Sequence, residues 1–352
     1  MRVLAVLLTV FWILPAPGAR ADVSKELVED LVDGNVIPAY RRFEEKTGAL
    51  SEAVAAACAG DTLSTDAVTS AFTEAWLAWA GARHVVKGPV TFFDRQFRIQ
   101  FWPDSRNRIE RAILDLRKAG GVPDIAGATV GVQGFPALER LIYEGEGASD
   151  CFIARPIAEN LHGMAAAILT EWTEGETPFR KAMVAPGSGA GVYFTYAESL
   201  TALMTGAVAS LEGVLRLRLK RPLGDDSGHV RPNLVEAWRS RLSMELVRAD
   251  LAAVADFYHG GAAEGGEPRG LDAALRRSGE TELADLMTKA FRITRETAAK
   301  IDRPLHEAVL APETKPTLDE LITQVSALKA LIIQKVGPAL GIAGGFNAMD
   351  GD

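Results

Sequence analysis

The sequence predicts an all-α protein built of two up-and-down helical bundles packed side by side. Apolar residues recur at helical spacing along nearly the whole chain, and strand-like alternation occurs only between Phe93 and Phe101. The chain of 352 residues is long enough for two domains at roughly 100 to 200 residues each. Amphipathic helices joined by loops bury their apolar faces against each other, which favours bundles.

The composition is that of a globular protein with an acidic balance. There are 38 Lys and Arg residues against 46 Asp and Glu, a formal charge of -8, and 48% of residues are hydrophobic. Disordered chains contain fewer apolar residues, and a collagen-like chain needs a fixed glycine period that this sequence lacks. An acidic surface repels a phosphate backbone, so no nucleic-acid partner is expected.

The first 21 residues are predicted to be a cleavable signal peptide. A basic residue, Arg2, precedes an apolar run over 3–14, and Ala19 and Ala21 stand just before Asp22. Twelve apolar residues are too few to cross a membrane as a helix, which needs about 20. We therefore expect cleavage before Asp22, a periplasmic protein, and no membrane span after cleavage.

Apolar stripes predict the helices of the first bundle, residues 22–188, in chain order. The segment from Phe93 to Phe101 is interpreted as an irregular excursion between helices, because its alternation is too short for a sheet. The stripes are Leu27, Leu31, Tyr40 and Phe43; Val68, Phe72, Trp76 and Trp79; Ile109, Ala112, Ile113 and Leu116; and Ile157, Leu161, Met164, Ile168 and Trp172.

The second bundle is predicted over residues 192–345, after the Gly-rich loop 186–191 that marks the boundary. Basic residues alternating with leucines over 215–221 are interpreted as a helix end. The stripes are Leu200, Leu203, Met204, Ala207, Leu211 and Leu215; Leu234, Trp238, Leu242, Leu246 and Tyr258; Leu283, Leu286, Phe291 and Ile301; and Leu318, Leu321, Ile322, Val325, Leu328 and Ile332.

Cys58 and Cys151 are the only cysteines of the chain. An even number of cysteines in an exported protein favours a disulfide, and two buried free thiols are the alternative. Closing a loop of about 90 residues would stabilise the fold by roughly 4 to 5 kcal/mol in the chain-entropy model. The spacing fits neither a zinc knuckle nor a redox motif.

Three residues of the segment 101–108 are candidate ligand contacts. Trp102 and Arg106 are residue types that dominate binding sites, and Asp104 stands between them. The structural alternative is that Asp104 or Ser105 caps the following helix, with the aromatic residue serving domain packing.

Glu139 and Arg239 complete the candidate site. Glu139 follows Pro136 by three positions, and the structural alternative for this segment is a helix start, where proline is common. Glu236 and Arg239 could form a surface ion pair within one helix, with Trp238 in the core. The functional alternative is that Arg239 reaches an acid of the first bundle, such as Glu139 or Asp104, in an interface cleft.

Three segments, together with the signal peptide, paired tryptophans and Cys151 before a helix, resemble the imelysin-like family of bacterial envelope proteins. The segments are 90–108 with Phe-Trp-Pro-Asp at 101–104, 132–141, and 236–240. The resemblance implies two helical bundles in a family linked to iron regulation and described as metallopeptidases. Its marker is Gly-x-His-x-x-Glu, but Pro136 stands at the histidine position of this chain. Glu139 would be a weak metal ligand alone.

The leading hypothesis is a non-catalytic periplasmic protein that binds a ligand or metal between its bundles and is linked to iron uptake. One alternative is an imelysin-type metallopeptidase that combines Glu139 with a distant histidine such as His84 or His162. Another alternative is a module that binds an envelope protein. Iron and zinc both stay open as cofactors, and the partner is a small ligand, a metal or a protein.

Overall fold

The computed structural model describes residues 23–189, 192–224, 230–261 and 267–342. The described part of the chain consists of helices joined by turns and loops and contains no strand, so the predicted all-α fold is confirmed. The predicted signal peptide and its cleavage point before Asp22 lie outside the described residues.

The first half begins with a long helical hairpin. A π-helical turn at Val32–Val36 joins the first two helices, and Ser24 and Thr65 cap helix starts by accepting backbone N–H groups. The helices are α1 (Lys25–Leu31), α2 (Ile37–Ala59), α3 (Asp66–Ala82), α4 (Arg95–Ile99), α5 (Arg108–Ala119), α6 (Phe135–Glu144), α7 (Cys151–Thr173) and α8 (Phe179–Val184). Short 3-10 turns occupy Pro89–Asp94, Val130–Val132 and Gly147–Asp150.

The second half is also a set of packed helices. π-Helical stretches at Gly213–Lys220 and Ile332–Val336 extend two of them, and 3-10 turns lie at Pro232–Leu234 and Pro312–Thr314. The helices are α9 (Tyr196–Glu212), α10 (Arg221–Leu223), α11 (Ser243–Tyr258), α12 (Gly270–Arg277), α13 (Thr281–Ala299), α14 (Leu305–Ala308), α15 (Lys315–Leu331) and α16 (Gly337–Ala339).

Helix packing follows the apolar stripes. In the first half α2 packs against α3 and α7, and an aromatic core of Phe43, Phe72, Trp76 and Phe135 lies among them and α6. In the second half α13 packs against α15 and α11, and α9 packs against α11 and α15. Contact between the halves runs mainly along α3 and α11. One continuous apolar core therefore extends through the molecule.

The predicted disulfide is confirmed between Cys58 and Cys151. Their Cα atoms are 5.6 Å apart, within the range that a disulfide bridges. The bond joins the end of α2 to the first residue of α7 and closes a separation of 93 residues. It therefore ties together two helices that also share the aromatic core.

Among the described residues, one helical run, Tyr196–Leu223, is long and apolar enough to cross a membrane by length and composition alone. Within its most apolar window, 56% is buried inside the protein. A helix in the core of a bundle has the same length and composition, and the buried share agrees with packing of this kind.

Candidate ligand-binding site

The start of α6 brings Glu139 into the interior. Gly134 precedes the helix at a close approach, because a Cβ atom there would lie 2.0 Å from the carbonyl oxygen of Ile99. Pro136 lies in the first turn, as the helix-start interpretation predicts. Glu139 follows one turn later with only 3% of its surface exposed. Gly134 and Pro136, which begin α6, therefore also set the position at which the Glu139 carboxylate is buried.

Glu139 is held by Ser240 from the other half of the chain. Its Oε1 accepts the Ser240 backbone N–H at 2.9 Å and the Ser240 hydroxyl at 2.7 Å. Burial raises the pKa of Glu139, although these two hydrogen bonds and the charge of Arg239 act to lower it. The hydrogen bonds and the charge of Arg239 thus offset only part of the cost of burying the ionised carboxylate.

The segment 235–242 is an irregular loop, so its predicted place in the middle of a helix was wrong. Ala237 and Arg241 have φ angles of 51° and 64°, in the left-handed region that residues other than glycine avoid. Such residues cost roughly 1–3 kcal/mol each and persist where the surroundings hold them. Here the loop turns the N–H and hydroxyl of Ser240 toward Glu139.

Four of the five candidate ligand contacts border one cavity of about 320 Å³, which we call the Glu139 cavity. They are Trp102, Asp104, Glu139 and Arg239. The other residues that line it are Trp76, Pro103, Asn107, Ile109, Glu110, Pro136, Arg140, Asn233, Leu234, Val235, Ala237 and Trp238. The structure does not bring the fifth candidate, Arg106, to the cavity, because its side chain is exposed to solvent.

Asp104 serves as a helix cap as well as a cavity wall. Its carboxylate accepts the backbone N–H groups of Arg108 and Ile109, both at 2.9 Å, and that of Arg106 at 3.3 Å. These bonds satisfy free N–H groups at the start of α5, as the capping interpretation predicts. The Trp102–Pro103 bond just before it is cis.

Arg239 pairs with Glu144, not with Glu139 or Asp104 as the functional alternative proposed. Its Nε lies 2.6 Å from Oε2 of Glu144. Arg140 lies 3.7 Å from the same carboxylate and 2.7 Å from Glu110, so acids and bases alternate along one rim of the cavity. Arg239 therefore does reach an acid of the first half, and this acid is Glu144 and neither of the two examples, Glu139 and Asp104.

A buried charge network behind the cavity was missed by the sequence analysis. It consists of Arg83, Arg218, Glu236 and Asp250. Arg83 donates two hydrogen bonds of 2.6 Å to Asp250 and bonds of 2.9 and 3.3 Å to Glu236. Arg218 lies 2.7 Å from Glu236 and 3.3 Å from Asp250. The proposed surface pair of Glu236 with Arg239 is thus replaced by an internal one.

The charge network contacts the aromatic wall of the cavity at Trp102. The Arg218 guanidinium lies 5.6 Å from the centre of the Trp102 ring, and Gln100 accepts hydrogen bonds from Trp79 Nε1 and Arg83. Burial acts to raise the pKa of Glu236, but the charges of Arg218 and Arg83 outweigh it and lower that pKa. Glu236 is accordingly held as a carboxylate against the two guanidinium groups.

Two signals in the sequence could have identified this network. Asp250 falls on the apolar stripe of α11 at the position facing the core, three and four residues after Val247 and Leu246. Arg218 stands between leucines at 217 and 219 and was assigned to a helix end, whereas its side chain is 11% exposed. A charged residue at a core position implies a buried partner.

The described residues contain no group of three or more His, Cys, Asp and Glu side chains arranged to hold a metal ion. The two histidines considered as ligands have other surroundings. His84 Nε2 lies 2.8 Å from the Asn35 side chain, and burial lowers the His84 pKa to about 4. His162 lies 3.5 Å from Thr47 and 3.9 Å from Glu44. Neither histidine borders the Glu139 cavity.

These features define a class of protein: an all-helical chain with a small aromatic and acidic cavity built from segments of both halves. The sequence model of the Imelysin family matches residues 36–332, and the chain belongs to this family. None of the curated proteins matches the sequence.

Two solved structures share the fold. One is an imelysin-like protein from Psychrobacter arcticum 273-4, with a TM-score of 0.78 and 22% identity, covering 93% of this chain and 100% of that chain. The other is described as an iron-regulated protein A precursor from Parabacteroides distasonis ATCC 8503, with a TM-score of 0.75 and 17% identity, covering 91% of this chain and 97% of that chain. Identities this low establish the fold alone.

Proposed function

We propose that this chain is a non-catalytic binding protein that holds a small ligand in the Glu139 cavity. The observation that carries the proposal is that Trp102, Asp104, Glu139 and Arg239, far apart in sequence, border one space. A volume of about 320 Å³ is at the lower end of the range of small-molecule sites. Aromatic walls with a few polar groups are also typical of such sites.

The chemistry of the donors supports binding rather than hydrolysis. A hydrolytic zinc site takes three protein ligands and a water, and Pro136 has no side-chain donor to offer. Oε1 of Glu139 is engaged by Ser240. The rival hypothesis of an imelysin-type metallopeptidase would need Glu139 and a histidine at one metal, whereas His84 and His162 lie elsewhere.

We further propose that the protein is periplasmic and linked to iron uptake. The signal-like sequence over 1–21 supports export to the periplasm, and the name of the Parabacteroides relative supports a link to iron uptake. We also propose that residues 22–188 and 192–345 each form one bundle, with the ligand held between them.

Metal analysis and a peptidase assay test the absence of catalysis. We expect purified mature protein to carry less than stoichiometric zinc or iron and to show no chelator-sensitive cleavage of a casein substrate. A stoichiometric metal that is lost in Glu139→Ala, together with cleavage abolished by that change, would establish the metallopeptidase instead. Glu159→Gln, a change on the exposed face of α7, is the control.

A test of the iron link uses the bacterium that encodes the protein. We expect the amount of protein to rise when an iron chelator is added to the medium and to fall when iron is restored. A deletion strain should grow more slowly than its parent under the chelator alone. Equal amounts of protein and equal growth in all media would contradict this part of the proposal.

A second candidate function rests on a wider groove of about 1280 Å³ between α2, α3, α11 and α13. Its lining includes seven alanines and nine charged residues, and some of these charges pair with each other, as Lys46 does with Glu74 and Arg292 with Glu296. A groove larger than the usual range of small-molecule sites favours an envelope protein as partner. Replacing Ala252 in its lining by Trp should abolish such binding and leave the Glu139 cavity intact.

A further inference from the structure

Three indole rings border the Glu139 cavity, and two of them already hold a cation. Trp238 has the Arg239 guanidinium 4.4 Å from its ring centre, and Trp102 has the Arg218 guanidinium at 5.6 Å. The third ring, Trp76, stacks on the Phe135 ring at 5.3 Å. Indole faces attract cations more strongly than other aromatic side chains do. Two of these indole rings therefore lie beside cations of the chain itself, and those cations are paired with Glu236 and Glu144.

The charges around the cavity leave one carboxylate without a cationic partner. Arg140 and Arg239 form ion pairs with Glu110 and Glu144, so these four charges cancel. Asp104 is satisfied by the N–H groups at the start of α5. Glu139 has hydrogen bonds only from Ser240, both to Oε1, and the described residues provide no partner for its Oε2.

A buried donor at the same cavity also lacks a partner. Trp76 is only 1% exposed and borders the cavity, yet its Nε1 has no hydrogen-bond acceptor among the described residues. Buried donors are nearly always paired with protein or with another molecule. Because the Nε1 atom itself has no accessible surface, a molecule in the cavity can reach the Glu139 carboxylate but not this donor.

We propose that the Glu139 cavity binds a small organic ammonium ion, with its charge against Glu139 Oε2 and its apolar groups against the tryptophan-lined walls. This inference rests on the proposed function and names the chemical class of its ligand. The cavity volume of about 320 Å³ admits a compact amine and excludes a folded peptide. Carboxylate and indole together desolvate and stabilise a cation that neither would hold alone.

Choline and 3,3-dimethylbutan-1-ol form the probe pair for the test, because they have the same shape and differ in charge. Titration calorimetry on the mature protein should show choline binding about tenfold or more tightly than the neutral alcohol, as cation–π and carboxylate contacts predict. Glu139→Gln should reduce choline affinity about tenfold and leave affinity for the alcohol unchanged. Glu159→Gln, which also removes one carboxylate, should bind choline as the wild type does.

The outcomes separate the ligand class from the site. Equal affinity for the two probes, no choline binding, or choline binding that survives Glu139→Gln would overturn the ammonium proposal. If an uncharged or anionic molecule binds instead and Trp238→Leu abolishes it, the cavity still binds a ligand and only its class was wrong. If no member of a small-molecule panel binds in a way that Trp238→Leu or Glu139→Gln alters, the proposed function fails as well.

Discussion

Replacing Arg83 by Met should destabilise the protein far more than the loss of an ordinary surface ion pair. Arg83 has a side chain that is 7% exposed and makes four hydrogen bonds to Asp250 and Glu236. A methionine side chain would fill most of the volume but leave two buried carboxylates with the single cation Arg218. Removing one partner from a buried ion cluster costs about 3 to 5 kcal/mol.

Urea unfolding followed by tryptophan fluorescence and circular dichroism measures this loss. The matched control is Arg180→Met, because Arg180 also donates two hydrogen bonds of 2.6 Å to a carboxylate, that of Asp33. The Arg180 side chain is 37% exposed, so its loss should cost less than about 1 kcal/mol. Both variants remove an arginine that donates two hydrogen bonds of 2.6 Å to one carboxylate, so the difference reports the burial of Arg83 together with its further bonds to Glu236.

The double variant Arg83→Met with Glu236→Gln tests the reasoning most directly. It leaves one cation, Arg218, beside one carboxylate, Asp250, at 3.3 Å. Charge balance is restored, so the double variant should lose less stability than the sum of the two single variants, by roughly 1 to 3 kcal/mol. Additive losses, or a loss for Arg83→Met equal to that for Arg180→Met, would show that charge compensation does not hold this network together.

Three further predictions concern the cavity, the disulfide and the start of α6. Burial raises the folded-state pKa of Glu139, while the charge of Arg239 acts to lower it and that of Glu236 to raise it. The contribution of Glu139 to stability should therefore be fully present below its unfolded pKa near 4.5 and be lost as the pH rises through the folded pKa. Glu139→Gln should lack this loss, so its stability relative to the wild type should increase as the pH rises toward 8 in thermal melts, and a constant difference at all pH values would contradict this. Reducing Cys58–Cys151 should lower stability by about 4 to 5 kcal/mol in urea titrations, and an unchanged midpoint would show that the loop is already constrained. Gly134→Ala should destabilise by several kcal/mol, on the order of 2 to 4, because its Cβ would meet backbone carbonyls that cannot move aside, whereas the exposed change Gly163→Ala should not destabilise.

Local signals in the sequence determine much of this protein. The apolar stripes of α2, α3, α7, α11 and α15 predict their helices, because a helix is stabilised by the periodic face that it buries. Pro136 predicts the start of α6, and an even cysteine count in a chain predicted to be exported favours the disulfide. The segments 90–108, 132–141 and 236–240 also indicate the family. Each of these features depends on neighbours in sequence or on composition.

The functional surroundings were decided only by tertiary structure. Arg83 and Asp250 are 167 residues apart, and no periodicity records that α3 and α11 bring them within 2.6 Å. Ser240 was assigned to a helix, but the left-handed residues around it turn its donors to Glu139. Stripes report only which face a helix buries. Which buried polar groups meet depends on how the helices pack, and that is a property of the whole chain.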